Sequence, residues 1–149
     1  MQIRTAEPSD LHELVALMRS FSEEVANPLS VRHIEGALAP LIADATIGDV
    51  WLVEQEKILG YLVITWGWGI ESGGKEALID EIYITPEARS QGLATALIEA
   101  SLQRAKSLGT KAVFLETEAN NPESRLLYER LGFKVESSVW MRSLLEADD

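Results

Sequence analysis

The chain has 149 residues, 46% hydrophobic and 25% charged, a balance that suits one folded domain with a full core and argues against wholesale disorder. It carries 24 acidic against 13 basic residues, a formal net charge of −11, which disfavours nucleic acid as a partner because a phosphate backbone demands a basic face. Zero cysteines exclude disulfides, thiolate metal sites and a cysteine nucleophile.

The opening residues lack the apolar core of a signal peptide and no apolar run reaches membrane-spanning length, so a cytoplasmic protein is the expectation. Residues 1–149 read as a single domain without repeats or linkers. Ile3 to Thr5 suits a first strand. Asp10 with Glu13 makes a capping box for a helix that buries Leu11, Leu14, Val15, Met18 and Phe21 and is broken at Asn27-Pro28. Ser30 caps a second helix through Ile34, Leu38, Leu41 and Ile42, which Pro40 should kink or divide.

Asp49 to Gln55 and Ile58 to Trp66 form a hairpin around Glu56-Lys57, and the glycine-rich segment 67–74 is a flexible connection. Ala77 to Ile84 is short, apolar and β-branched, a buried strand. After it, Ala94, Leu97, Ile98, Ser101, Leu102, Ala105 and Leu108 recur at helical spacing, and Gly109 supplies the left-handed stop. Lys111 to Thr117 is a further strand. Asn121 caps a short helix with Pro122 at its first position and Gly132 at its end, and Phe133 to Met141 reads as a last strand. A front rich in hairpins and a back of alternating helices and strands predict an α/β (α+β) fold, one mixed sheet with helices on both faces.

The turn Arg89-Ser90-Gln91-Gly92-Leu93-Ala94-Thr95 joins the buried strand to the long helix. The first turn of a helix has unpaired N–H groups and the positive end of the macrodipole, so a bare main chain there attracts phosphate. Gly92 and Ala94 keep it bare, and Arg89 can add a charge-assisted contact. The same residues would also serve a helix that only packs tightly. The second informative stretch runs from Asn121 through Ser124 and Tyr128 to Leu131-Gly132-Phe133.

Together the two stretches resemble the GNAT superfamily of acyl-CoA-dependent N-acyltransferases. Arg89, Gly92 and Ala94 match its Arg/Gln-x-x-Gly-x-Gly/Ala pyrophosphate turn, and Asn121, Ser124 and Tyr128 match its Asn-x-x-Ser/Ala-x-x-x-Tyr motif ahead of Leu-Gly-Phe. The resemblance covers nearly all of the chain, with its specific part in residues 80–133. Ser90 stands where glycine is frequent, which makes the turn slightly less open.

The resemblance implies a mostly antiparallel sheet that splays after the buried strand, with acetyl-CoA as co-substrate and direct transfer to a primary amine on a small molecule or protein. It implies that residues 89–95 hold the pyrophosphate and that the backbone of Ile82, Tyr83 and Ile84 pairs with the pantetheine arm, one amide meeting the oxyanion. Asn121 and Ser124 match positions that touch the donor, although a cap and a first-turn residue explain them equally. Tyr128 matches the general acid, an assignment preferred here over packing alone. Asp80 and Glu81 interrupt the strand and, being adjacent, should point to opposite faces. Either is a candidate base, and either could instead be satisfied by backbone or arginine.

An acidic surface is compatible with an amine acceptor but is more often a solubility device. Trp66 and Trp68 share a strand face and read as core or sheet surface before pocket lining, and His12 and His33 lack ligand spacing, so no metal is expected. There is no nucleophile elbow and no Walker turn. A homodimer is compatible with the family's habit of pairing through late strands. The alternatives are an acyl-CoA-binding regulatory module without catalysis and a nucleotide-binding enzyme reusing the helix start.

Overall fold

A computed structural model describes residues 1–117 and 120–146. Strands β1 (Gln2–Thr5), β2 (Gly48–Glu54), β3 (Ile58–Gly69), β4 (Gly74–Ile84) and β5 (Ala112–Leu115) form one sheet in sequence order, with helices α1 (Leu11–Glu24), α2 (Val31–Ala43), α3 (Leu93–Ser107) and α4 (Pro122–Arg130). All neighbouring strands are antiparallel except β4 and β5, which α3 connects as a parallel crossover.

Alternation along the strands divides the core into two layers. Leu52, Tyr61, Val63 and Tyr83 face α1 and α2, meeting Leu14, Val15, Met18, Ile34 and Leu38. Val53, Leu62, Ile64 and Ile79 face α3, meeting Leu93, Leu97, Ile98 and Ala105. Helices therefore cover both faces, as expected.

Local signals were diverted at four places. Asp10 does not cap α1 with its side chain: its carboxylate takes a forked pair from Arg4 (2.8 and 2.9 Å) and the Glu7 N–H (2.7 Å). Glu13 in turn accepts the Ile58 N–H at 2.6 Å. The predicted box thus gives way to bonds that tie α1 to the sheet. Pro40 sits inside one unbroken helix: its ring removes only the bond that its N–H would have made to Gly36 O, and the helix runs three residues further to Ala43. The segment 67–74 is a hairpin rather than a flexible connection: Gly67, Trp68 and Gly69 pair with Glu76, Lys75 and Gly74 across a turn at residues 70–73. A Cβ at Gly69 would collide with the Glu76 carboxylate, which also accepts from Ser72 Oγ at 2.6 Å.

The fourth is the expected strand 133–141, which does not form. The segment lies beyond α4 with Val135, Val139, Trp140 and Met141 exposed, across an open cavity of about 940 Å³ from β5. Alternating apolar residues make a strand only where an edge takes their ladder bonds, and none does here.

The Arg4 fork also reaches Glu54 through Nε (2.7 Å) and joins β1, β2 and the start of α1. That pairing holds the Asp10 carboxyl below its ordinary 3.8. Asp10→Asn should cost about 1–3 kcal/mol in urea unfolding near neutral pH. Because the folded-state pKa is the lower one, this contribution is complete above 3.8 and disappears as pH falls below it. Equal stabilities at pH 7 would show that the fork contributes nothing.

Candidate active site

The register of β4 organises the site. Val63 pairs with Glu81 and Ile64 with Ile79, so Asp80 is an extra residue, a β-bulge. Ile79 faces α3 whereas Tyr83 faces α1 and α2, which requires the alternation to slip at Asp80. Asp80 and Glu81 therefore share the α1–α2 face, and the opposite-face expectation is corrected: strict alternation fails at a bulge.

Glu81 accepts a hydrogen bond from Tyr61 Oη at 2.8 Å, and Tyr61 is completely buried on β3. Burial pushes the Glu81 carboxyl above its ordinary value, the Tyr61 bond opposes this, and the Asp80 charge adds to it. Asp80 reaches solvent at the bulge, yet the surrounding wall desolvates it enough to raise its pKa as well. Carboxyl groups raised in this way are better proton acceptors than exposed ones.

β4 and β5 pair from Glu76–Ala112 to Ile79–Leu115, so among the described residues β4 beyond the bulge has no strand partner on that side. The Thr85 N–H donates to Leu59 O at 2.9 Å, which places the bonded pairs of the β3–β4 ladder at 59/85 and 61/83. The main-chain groups of Tyr83 are thus spent on β3, and those of Ile82 and Ile84 face the opening. The Ile84 carbonyl already accepts from Arg89 Nε at 2.9 Å.

Past a 3-10 turn at Pro86–Ala88 the chain turns through two left-handed residues, Ser90 (φ 63°) and Gly92 (φ 78°), before α3 begins. Glycine tolerates this conformation without strain, and a Cβ at Gly92 would meet no protein atom within 4 Å. The Ala96 N–H closes the first helical turn onto Gly92 O, and among the described residues no protein group accepts from the N–H groups of Ser90, Gln91, Gly92, Leu93, Ala94 or Thr95. Leu93 is buried and anchors the turn. Arg89 locks it from behind, with Nη2 on Glu24 of α1 at 2.8 Å and the guanidinium 5.5 Å from the centre of the Tyr83 ring.

Asn121 Oδ1 accepts the Ser124 N–H at 3.3 Å, the predicted cap of α4. Tyr128 is half-buried, edge-on to Phe133 with ring centres 6.3 Å apart, and desolvation raises its pKa. The phenol keeps its proton at neutral pH. Among the described residues no hydrogen bond joins Tyr128 to Asp80 or Glu81.

Trp66 and Trp68 lie at the far end of β4 from this turn, opposite Ala77 and Lys75. Trp66 Nε1 donates to Ala45 O at 3.0 Å and Trp68 is exposed, which fits sheet surface. Among the described residues no three potential ligand side chains gather around a metal position, and no helix is long and apolar enough to cross a membrane. The residue that sequence reasoning missed is Tyr61. Its only signal was a buried phenol needing a partner, and the bulge that supplies the partner has no local signature.

A model of the acetyltransferase (GNAT) family matches residues 11–133. An uncharacterised N-acetyltransferase of Bacillus subtilis is 23% identical over 90% of both chains. An N-alpha-acetyltransferase of Saccharolobus solfataricus is 26% identical over 89% of this chain and 79% of its own. The crystal structure of an integron cassette protein from the mobile metagenome of Cole Harbour Salt Marsh superposes with a TM-score of 0.88 at 30% identity, covering 99% of this chain and 92% of that one.

Proposed function

Since the chain belongs to the GNAT acetyltransferase family, we propose that it moves an acetyl group from acetyl-CoA to a primary amine of a small molecule or protein, by direct attack in a ternary complex. The observation that carries this reading is the bare main chain of residues 90–95, whose amide hydrogens have no acceptor among the described residues and whose Gly92 faces open space. That surface fits a diphosphate.

Acetyl-CoA supplies the thioester whose C–S bond breaks as the amine nitrogen forms the new C–N bond. The turn amides hold the negative charge of the donor, with Asn121 and Ser124 as further candidate contacts. The N–H and C=O of Ile82 and the N–H of Ile84, without partners among the described residues, lie along the splay, where an amide-bearing arm would find ladder partners. One of these N–H groups is suited to the carbonyl oxygen as it gains charge. Glu81 takes the proton from the amine, directly or through water, with Asp80 beside it keeping its affinity for protons high. Tyr128 returns a proton to the departing sulfur. A relative named N-alpha-acetyltransferase supports including protein termini among the acceptors.

The test combines calorimetry against CoA, ATP and NAD with a thiol-release screen over polyamines, amino acids, aminoglycosides and peptides. Micromolar CoA binding and amine-dependent thiol release are expected. CoA binding without release across the panel would point to a non-catalytic acyl-CoA-binding module, and binding of ATP or NAD alone would overturn the reading.

A further inference from the structure

We propose that Tyr61 is a positioning residue for transfer, holding the Glu81 carboxylate on the α1–α2 face in the orientation that receives the amine proton; this rests on Glu81 being the base. Tyr61 has no access to solvent, so its hydroxyl must find its partner inside the protein, and that partner is Glu81 Oε1 at 2.8 Å. The ring cannot swing away. It is 6.0 Å from the Tyr83 ring, which is itself 5.7 Å from Phe21 of α1, and it packs in the layer that holds Leu14 and Leu38.

Glu81, by contrast, sits next to a bulge, which disrupts the ladder locally and re-aims the side chains around it. A rigid donor on β3 thus fixes a carboxylate that β4 alone would leave free to choose among rotamers. It occupies one oxygen and leaves the other for the substrate.

The charged and titratable groups facing the pair are few. Asp80 lies beside Glu81 on β4, and Tyr83 follows on the same face. The carboxylate of Glu24 on α1 is paired with Arg89 and faces Tyr83, not the pair, while α1 and α2 present Leu14, Ile34 and Leu38 to this layer. Asp80 raises the proton affinity of Glu81, and among the described residues the Tyr61 hydroxyl is the group that lowers it. Removing that hydroxyl should therefore move the titration of the base upward.

Tyr61→Phe keeps the ring and deletes only the donor. In the profile of kcat/KM against pH it should shift the acidic limb upward by about one unit, about a tenfold loss on that limb, and leave the basic limb in place. Glu81→Gln should abolish the limb, and Tyr61→Phe added to Glu81→Gln should change it no further. If Glu81→Gln abolishes the limb while Tyr61→Phe leaves it unmoved, Tyr61 only fills space and the base assignment survives. If Glu81→Gln leaves the limb unmoved, the base assignment fails and the role of Tyr61 falls with it. A carbon-13 titration of the Glu81 carboxyl, run in the cold on folded wild type and Tyr61→Phe, reads the same shift without turnover. Equal midpoints there would overturn the proposal even if the variant is too unstable to assay.

Discussion

Tyr128→Phe should lower kcat by about a hundredfold or more and leave the donor KM near its wild-type value. The phenyl ring keeps the edge-on contact with Phe133 and the apolar contacts to the α3 layer, so only the hydroxyl is lost. Burial raises the phenol's pKa, which keeps the group protonated through the neutral range where a leaving thiolate needs a proton. A loss in kcat without a loss in donor affinity is what removal of a transition-state interaction produces. A wild-type kcat would mean that water protonates the sulfur and that Tyr128 only packs. Melting temperatures of the two proteins, measured alongside, separate the chemical effect from a weakened α4.

Gly92→Asp should weaken donor binding by about 30-fold to 100-fold, because it puts a like charge among amides suited to a diphosphate, a penalty of about 2–3 kcal/mol. The choice of residue matters. At φ 78° most side chains strain the backbone, but aspartate and asparagine tolerate this region, and no protein atom lies within 4 Å to be displaced. Gly92→Asn has the same shape without the charge, so it should raise the donor KM by only a few-fold. Equal effects of the two, or none, would place the diphosphate elsewhere.

Much of the architecture was legible because its signals are local. Ser30 and Asn121 cap their helices through the N–H three residues on, and Gly109 and Gly132 end theirs at positive φ. The helical stripe after Gly92 buries Leu97, Ile98, Ser101 and Ala105 as its spacing requires. Signals that depended on a distant partner were less reliable. Asp10 and Glu13 left their box for Arg4 and the Ile58 N–H, since a charged fork and a buried amide outweigh a cap at an exposed helix end. The alternation in 133–141 stands across a cavity from the outer edge of β5 and does not pair with it.

By itself, then, the amino-acid order determined the succession of helices and strands up to α4, the glycine turn ahead of α3 and the Asn-Ser-Tyr spacing on α4, because each follows from neighbours within a few positions. The tertiary structure alone decided which carboxylates share a face, that Tyr61 grips one of them, that Arg89 is committed to Ile84 and Glu24, and which backbone amides look into the splay. The shared face of the carboxylates and the grip of Tyr61 turn on one extra residue in the register of β4. A single-residue slip exchanges the two faces of everything beyond it, and pairing between strands far apart in the chain sets where that slip falls.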